Sequence, residues 1–192
     1  MQTIVKTSSG ITVVPIESRL LSDRRIFLEG EITHMSACAF VRQIMLLTKE
    51  NRDKPIDVYI NSPGGEINAG LLIYDALQGC RTEINLYCIG LCASMAAIIL
   101  AGGQKGRRFA TPHSKLLLHE PLLSGGFAGS ASSIQRTAES IMETKRIIAE
   151  LLAKDTGKDI ESIDKAIAFD NYLNAQEAVA FGLCDRIVTS IV

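Results

Sequence analysis

The chain has no tryptophan, only three histidines and five prolines in 192 residues, and aromatic residues make up 5%. Imidazole chemistry therefore has three candidates, His34, His113 and His119. Net charge is also missing. Twenty Lys and Arg stand against 21 Asp and Glu, a balance of -1, which removes the electrostatic case for nucleic acid or an anionic membrane as a partner. The five cysteines (Cys38, Cys80, Cys88, Cys92, Cys184) are odd in number and sit mostly in apolar segments. That excludes a complete disulfide framework and predicts buried free thiols in a reducing, cytoplasmic setting. Cys88 and Cys92 have no second Cys/His pair at ligand spacing, so the thiol reading ranks above metal. No cationic start leads into a long apolar run at MQTIVKTSSG, so no signal peptide is expected.

What the chain does have is 47% hydrophobic residues, enough for a core, and a length that predicts one domain over 1–192. Its longest uncharged run, residues 84–104, could span a bilayer by length. Asn85, three glycines and a change from β-prone to helical patterning within it predict a strand over Ile84 to Leu91 and a helix over Ala93 to Ala101 instead. Ser94 falls at the junction.

Before this run, residues 1–17 predict a flexible N-terminal segment with one strand. A strand is expected at Arg24 to Leu28, ending at Gly30. A helix capped by Thr33 should run from His34 to Lys49, and a strand over Ile56 to Ile60. NSPGG, Asn61 to Gly65, reads as a tight turn leading into a helix over Glu66 to Gln78. After it come short strands at Arg107 to Ala110 and Lys115 to His119, a loop over 124–130, and a long helix from Ser130 to Asp155. An apolar stripe through Ile134, Ala138, Ile141, Ile148 and Leu152 marks that helix. At about 37 Å for about 25 residues, it exceeds the needs of such a domain and suits contact with a partner subunit. A helix over Ile160 to Ala168, a turn at Asp170, a helix from Ala175 to Phe181 and a strand over Arg186 to Ile191 complete the chain. Such alternation predicts α/β layering. Met35, Met95 and Met142 read as core fillers, and His34 and His113 as surface or capping residues. The glycines after His119 form no phosphate loop, because no Lys-Ser/Thr follows.

Serine hydrolysis needs a nucleophile, a base, a group that orients the base, and donors for the oxyanion. Ser94 at a strand–helix junction suits the first role, although a serine there is more often a plain helix cap. His119 closes an apolar strand and suits the second; Asp170 suits the third. The Gly64-Gly65 turn and the Met95 amide could supply the donors. The order Ser, His, Asp is not a common hydrolase order, and no G-x-S-x-G elbow surrounds Ser94.

YINSPGG at 59–65, GLCASMAA at 90–97, LLLHEP at 116–121 and YLNAQEAVAFGLCD at 172–185 closely resemble the proteolytic subunit family of the Clp protease, ClpP, over nearly the whole chain. The resemblance implies a crotonase-like α/β spiral of ββα units with a projecting long helix. It also implies a serine peptidase of two stacked seven-membered rings, fed unfolded polypeptides by an AAA+ ATPase. ATP would be used by that ATPase, and this chain would need no cofactor or metal. Position by position it assigns Ser94 as nucleophile, His119 as base, Asp170 as triad acid, and Gly65 and Met95 as oxyanion donors. Gly125, Gly126 and Phe127 would pair with extended substrate as an added strand.

The chain departs from that family where an arginine usually precedes the triad aspartate and an acid lies a turn earlier. Here these are Phe169 and Ala166, with Glu120 where glutamine commonly follows the base, and a longer loop follows. These departures favour an alternative, a weakly active or scaffolding ring subunit activated by a paralogous ring. A further alternative keeps the fold but changes the chemistry to that of a crotonase-type acyl-CoA hydratase or isomerase.

Overall fold

The computed structural model describes residues 1–7, 10–122 and 128–191. Strands β1 (Gln2–Thr7) and β2 (Gly10–Pro15) pair antiparallel, so the N-terminal segment holds two strands where one was expected. A short helix, α1 (Ile16–Ser22), follows, and it too was not foreseen, because seven residues give too little periodicity to read. The main sheet then takes β3 (Arg25–Ile32), β4 (Ile56–Gly65), β5 (Ile84–Ala93), β6 (Arg108–Ala110) and β9 (Arg186–Ile187) in that spatial order, each pair parallel. β9 is two residues long where six were expected. Helices α2 (His34–Glu50), α3 (Ile67–Gly79) and α4 (Met95–Ala101) supply the crossovers, as parallel strands require.

Capping chemistry sets the helix limits. Thr33 and Ser36 form a reciprocal capping box at the start of α2. All seven residues of α4 are buried, as befits a helix apolar on every side. The uncharged run at 84–104 is thus a central strand followed by a core helix, and no helix among the described residues is long and apolar enough to cross a membrane.

Alternate residues of β3, β4 and β5 face the core: Ile26 and Leu28, Val58 and Ile60, Leu86 and Cys88. On the opposite face the register aligns Phe27, Tyr59, Tyr87 and Phe109. Their rings stack in a row at 5.0, 5.1 and 4.9 Å between centroids, and Arg186 lies over the last ring. Cys88, Cys92 and Cys184 are buried free thiols, in keeping with the sequence. Burial pushes the Cys92 thiol up and that of Cys184 up to about 12, so both pack as small apolar groups at neutral pH. Met95 is buried, but Met35 and Met142 are 81% and 64% exposed, contrary to expectation: both lie on helix faces turned from the core.

The long helix α5 (Ala131–Thr156) starts at the Ser130 cap and stops at Gly157, whose φ of 78° closes a left-handed C-cap. Only its second half packs: Ile148, Ala149, Leu152 and Asp155 are buried, whereas Ile134 is 47% exposed. Tyr74 of α3 donates to the Asp155 carboxylate at 2.8 Å, so the base of α5 is tied to the core. Arg108, 2% exposed, donates to Asp185 and to the carbonyls of Ala101 and Asp155. Helices α6 (Ile160–Ile167) and α7 (Ala175–Phe181) complete the described elements, with strands β7 (Lys115–Leu118) and β8 (Asn171–Asn174).

Burial pushes the Asp185 carboxyl up, but its hydrogen bonds with Arg108 outweigh that and hold it below the usual aspartate value. Its contribution is therefore present above the unfolded value and lost as pH falls through the lower folded one. Asp185→Asn should destabilise the protein by about 3 kcal/mol at neutral pH, because it leaves a buried guanidinium without its counter-charge. Urea melts at pH 7 and pH 3 check this: the gap between wild type and variant should be large at the first and narrow at the second.

Candidate active site

β5 changes partner part-way along. Leu86 to Cys88 pair with β6, and Leu91 to Ala93 pair with β7. β7 in turn pairs antiparallel with β8, Leu118 facing Asn171. This register brings three distant segments together at one end of the sheet. Ala93 faces Leu117, and the Ser94 amide donates to the Leu117 carbonyl at 2.9 Å. One residue beyond the Leu118–Asn171 pair stand His119 and Asp170. Neighbouring strands lie about 4.8 Å apart, so the hydroxyl, imidazole and carboxylate come from three adjacent chain segments.

Ser94 is not the plain helix cap its position suggests. It precedes α4 with φ 54° and ψ -125°, and its side chain makes no capping hydrogen bond. A non-glycine residue there is strained, typically by about 1–3 kcal/mol, and the turn leaves the hydroxyl uncommitted to the helix. The bend that G-x-S-x-G supplies in other hydrolases is made here without those glycines.

NSPGG is not a free turn. It continues β4, with Gly64 and Gly65 in register with Glu31 and Ile32 of β3 across a bulge at Gly30. The sequence reading missed this because proline and two glycines ordinarily end a strand. The close approach explains the glycines. A Cβ on Gly64 would stand 2.7 Å from the Ser94 Cβ and 3.1 Å from the Met95 amide nitrogen, and one on Gly65 would stand 2.2 Å from the Ile32 carbonyl oxygen. Ser62, buried, donates to the Gly30 carbonyl at 2.5 Å and accepts from the Gly64 amide at 3.1 Å, which fixes the bulge. The Glu66 amide donates to the Ile32 carbonyl. Gly65 thus lies between two committed amides, and Met95, first in α4, has no intrahelical acceptor for its own.

Ser94, His119 and Gly65 line one groove of about 640 Å³ together with Pro63, Ile67, Asn68, Pro121, Leu122 and Thr144, and with Glu31 and Glu66. A larger hollow of about 960 Å³ between α2 and α3, lined by Met45, Thr48 and Arg81 among others, contains none of the predicted site residues. His119 Nδ1 is buried without a hydrogen-bond partner, and the Asp170 carboxylate stands 3.7 Å away. The separation is about 1 Å longer than a charge-assisted bond. Asp170 itself is 63% exposed.

A family model for the Clp protease matches residues 8–191. The chain belongs to the Clp protease family. Its mostly parallel α/β sheet with seven helices among the described residues fits that family's fold. The Clp protease family is one of serine peptidases, and the clustering of Ser94, His119 and Asp170 suits that chemistry.

Gly125, Gly126 and Phe127 lie outside the described residues. His34 and His113 are exposed, away from the groove. Sequence reading missed β8, four residues too polar to announce a strand, although β8 is what sets Asp170 opposite His119. It also missed Glu31, Glu66 and the Lys145–Glu120 ion pair at 2.6 Å, which joins α5 to the residue after the base. Acidic residues before a helix read as ordinary surface, and only the groove reveals their company.

Ser94→Gly should relieve the backbone strain, and Ser94→Ala should not. The glycine variant is expected to be more stable than the alanine variant by about 1 kcal/mol, the strain relief exceeding the cost of a more flexible unfolded chain. Thermal melts of the two side by side measure it; equal stability would remove the argument from strain.

Proposed function

We propose that this chain is a serine endopeptidase, the proteolytic subunit of an ATP-dependent Clp protease, cutting unfolded polypeptides into short peptides inside a ring chamber. The observation that supports the reading is the strand register that brings the segments of Ser94, His119 and Asp170 together, with Ser94 and His119 lining one groove and Asp170 3.7 Å from His119.

His119 takes the Ser94 proton as the hydroxyl oxygen attacks a peptide carbonyl carbon. The oxyanion so formed accepts from the Gly65 and Met95 amides, each worth about 3 kcal/mol in comparable hydrolases. His119 then returns the proton to the leaving amine, and water resolves the acyl-enzyme by the same route reversed. Asp170 orients the imidazole without taking its proton. No cofactor enters these steps; ATP would serve an AAA+ partner that unfolds and delivers substrate. An extended substrate would pair with residues 125–127 through main-chain hydrogen bonds.

The exposed first half of α5, with Ile134 and Met142 open to solvent, supports assembly into two stacked seven-membered rings, since a partner helix would cover that face. A cytoplasmic setting agrees with the reduced thiols. A second reading, a subunit of low activity until a paralogous ring joins it, draws on the open His119–Asp170 pair and on Phe169, 85% exposed beside Asp170. The rival acyl-CoA chemistry needs no nucleophilic serine, and the uncapped hydroxyl of Ser94 speaks against it.

A fluorophosphonate probe should label Ser94, and Ser94→Ala should abolish cleavage of short fluorogenic peptides. Residual cleavage by the variant would end the proposal, whereas CoA binding without labelling would favour the rival. Assay with and without a paralogous ring separates the two subunit readings. Light scattering should find a large assembly, and a persistent particle of about 21 kDa, one chain of 20.8 kDa, would contradict the ring.

A further inference from the structure

Among the described residues, the groove at Ser94 carries two carboxylates and no lysine or arginine. Glu31 and Glu66 both line it, both are exposed, and neither makes an ion pair or side-chain hydrogen bond among the described residues. The third acid nearby is different: Glu120 is held by Lys145 at 2.6 Å, so its charge is already answered.

The two carboxylates are fixed to the reaction geometry by the backbone. Glu66 directly follows Gly65, and its amide donates to the Ile32 carbonyl at 2.8 Å. Glu31 precedes Ile32 and faces Gly64 in the β3–β4 ladder. Glu31 lies in β3 and Glu66 is the residue between β4 and α3, so both stand close in the chain or the ladder to Gly65. Because both carboxylates line the same groove as Gly65, a peptide whose carbonyl reaches that amide has its neighbouring side chains in the same groove. The remaining walls are apolar or neutral: Pro63, Ile67, Pro121 and Leu122, with Asn68 and Thr144.

We infer that Glu31 and Glu66 are specificity-determining residues that select lysine and arginine, and disfavour aspartate and glutamate, next to the bond cut at Ser94. This rests on the peptidase reading above. Long cationic side chains suit such a site, because their methylene stems can lie along the apolar wall while the head reaches the carboxylates. Acidic side chains meet like charge without a counter-ion, and complementary charge favours the correct partner chiefly by rejecting the wrong one.

The test uses the full-length protein and peptidyl phosphonates that trap the serine, carrying lysine, leucine or glutamate next to phosphorus. Lysine should label Ser94 faster than leucine, by roughly two- to fivefold for each carboxylate, the range that exposed ion pairs support. Glutamate should be slowest. Raising salt from 0.05 to 0.5 M, about a threefold shorter screening length, should shrink the lysine preference in the wild type without any substitution. Glu66→Gln and Glu31→Gln should each lower the lysine-to-leucine ratio, and Glu66→Lys should turn the preference toward glutamate. A merely structural role would not reverse it. Labelling of Ser94 with a lysine-to-leucine ratio at or below one, or a ratio that neither salt nor the variants move, overturns the inference and leaves the peptidase intact. If no phosphonate and no fluorophosphonate labels Ser94, the peptidase reading falls and this one with it.

Discussion

One hydrogen bond, from the Ser94 amide to the Leu117 carbonyl at 2.9 Å, holds the place where the central strand changes partner. Up to Cys88, β5 is an interior strand between β4 and β6. From Leu91 onward β7 takes the place of β6. Gly90, with φ 111°, sits between the two regimes, and only a residue without Cβ tolerates that backbone beside Asn61, whose side-chain oxygen accepts from the Leu91 amide. Without the change of partner, the strand carrying His119 would run elsewhere and Ser94 would be an ordinary cap. The site depends on this divided strand more than on any single catalytic group.

Close packing then limits what else the region can be. Gly64 lies against Ser94 and Gly70 lies against Met95, where a Cβ would come within 2.4 Å of the Met95 side chain. The strained serine, the bulge held by Ser62 and the fully buried α4 stand on one another, so the strain at Ser94 is over-determined by its surroundings, as persistent backbone strain requires. The core contributes rigidity here because a displaced amide at Met95 would have to move an entire buried helix.

The sequence was legible wherever a single element announces itself. The helices from His34, from Glu66 and from Ser130 lie within a residue or so of their predicted ends, because capping side chains and apolar periodicity are local signals. Ser94, His119 and Asp170 could be picked out as candidates for the same reason, each at an element boundary. What could not be read was pairing. NSPGG looks like a turn because proline and glycine weaken isolated strands, yet β3 supplies partners that no local window contains. β8 (Asn171–Asn174) has one buried residue, Leu173, and owes its extended form to β7. The aromatic row from Phe27 to Phe109 is scattered over more than eighty positions in sequence and exists only through register. The groove's acidity was invisible for a like reason, since only the β3–β4 pairing brings Glu31 and Glu66 to one groove.

Ser94 and His119 are partly buried and Asp170 is exposed, and this orders their sensitivity. Ser94 is bonded to the core strand, His119 retains 17% of its side-chain exposure, and Asp170 is 63% exposed beside an 85% exposed Phe169. Closing the His119–Asp170 distance from 3.7 Å to about 2.8 Å would strengthen their attraction by less than about 1 kcal/mol at the high effective dielectric of an exposed carboxylate. Attraction alone therefore gives little reason to close. What closure would add, on the proposed mechanism, is direction: an Nδ1 proton held toward Asp170 would leave Nε2 as the acceptor for the serine. Covering Phe169 and Asp170 by a neighbouring surface would remove water from the pair and lower the dielectric at the same time. The most exposed member of the candidate site is thus the one through which an assembly could act, and the less exposed members would respond by way of it.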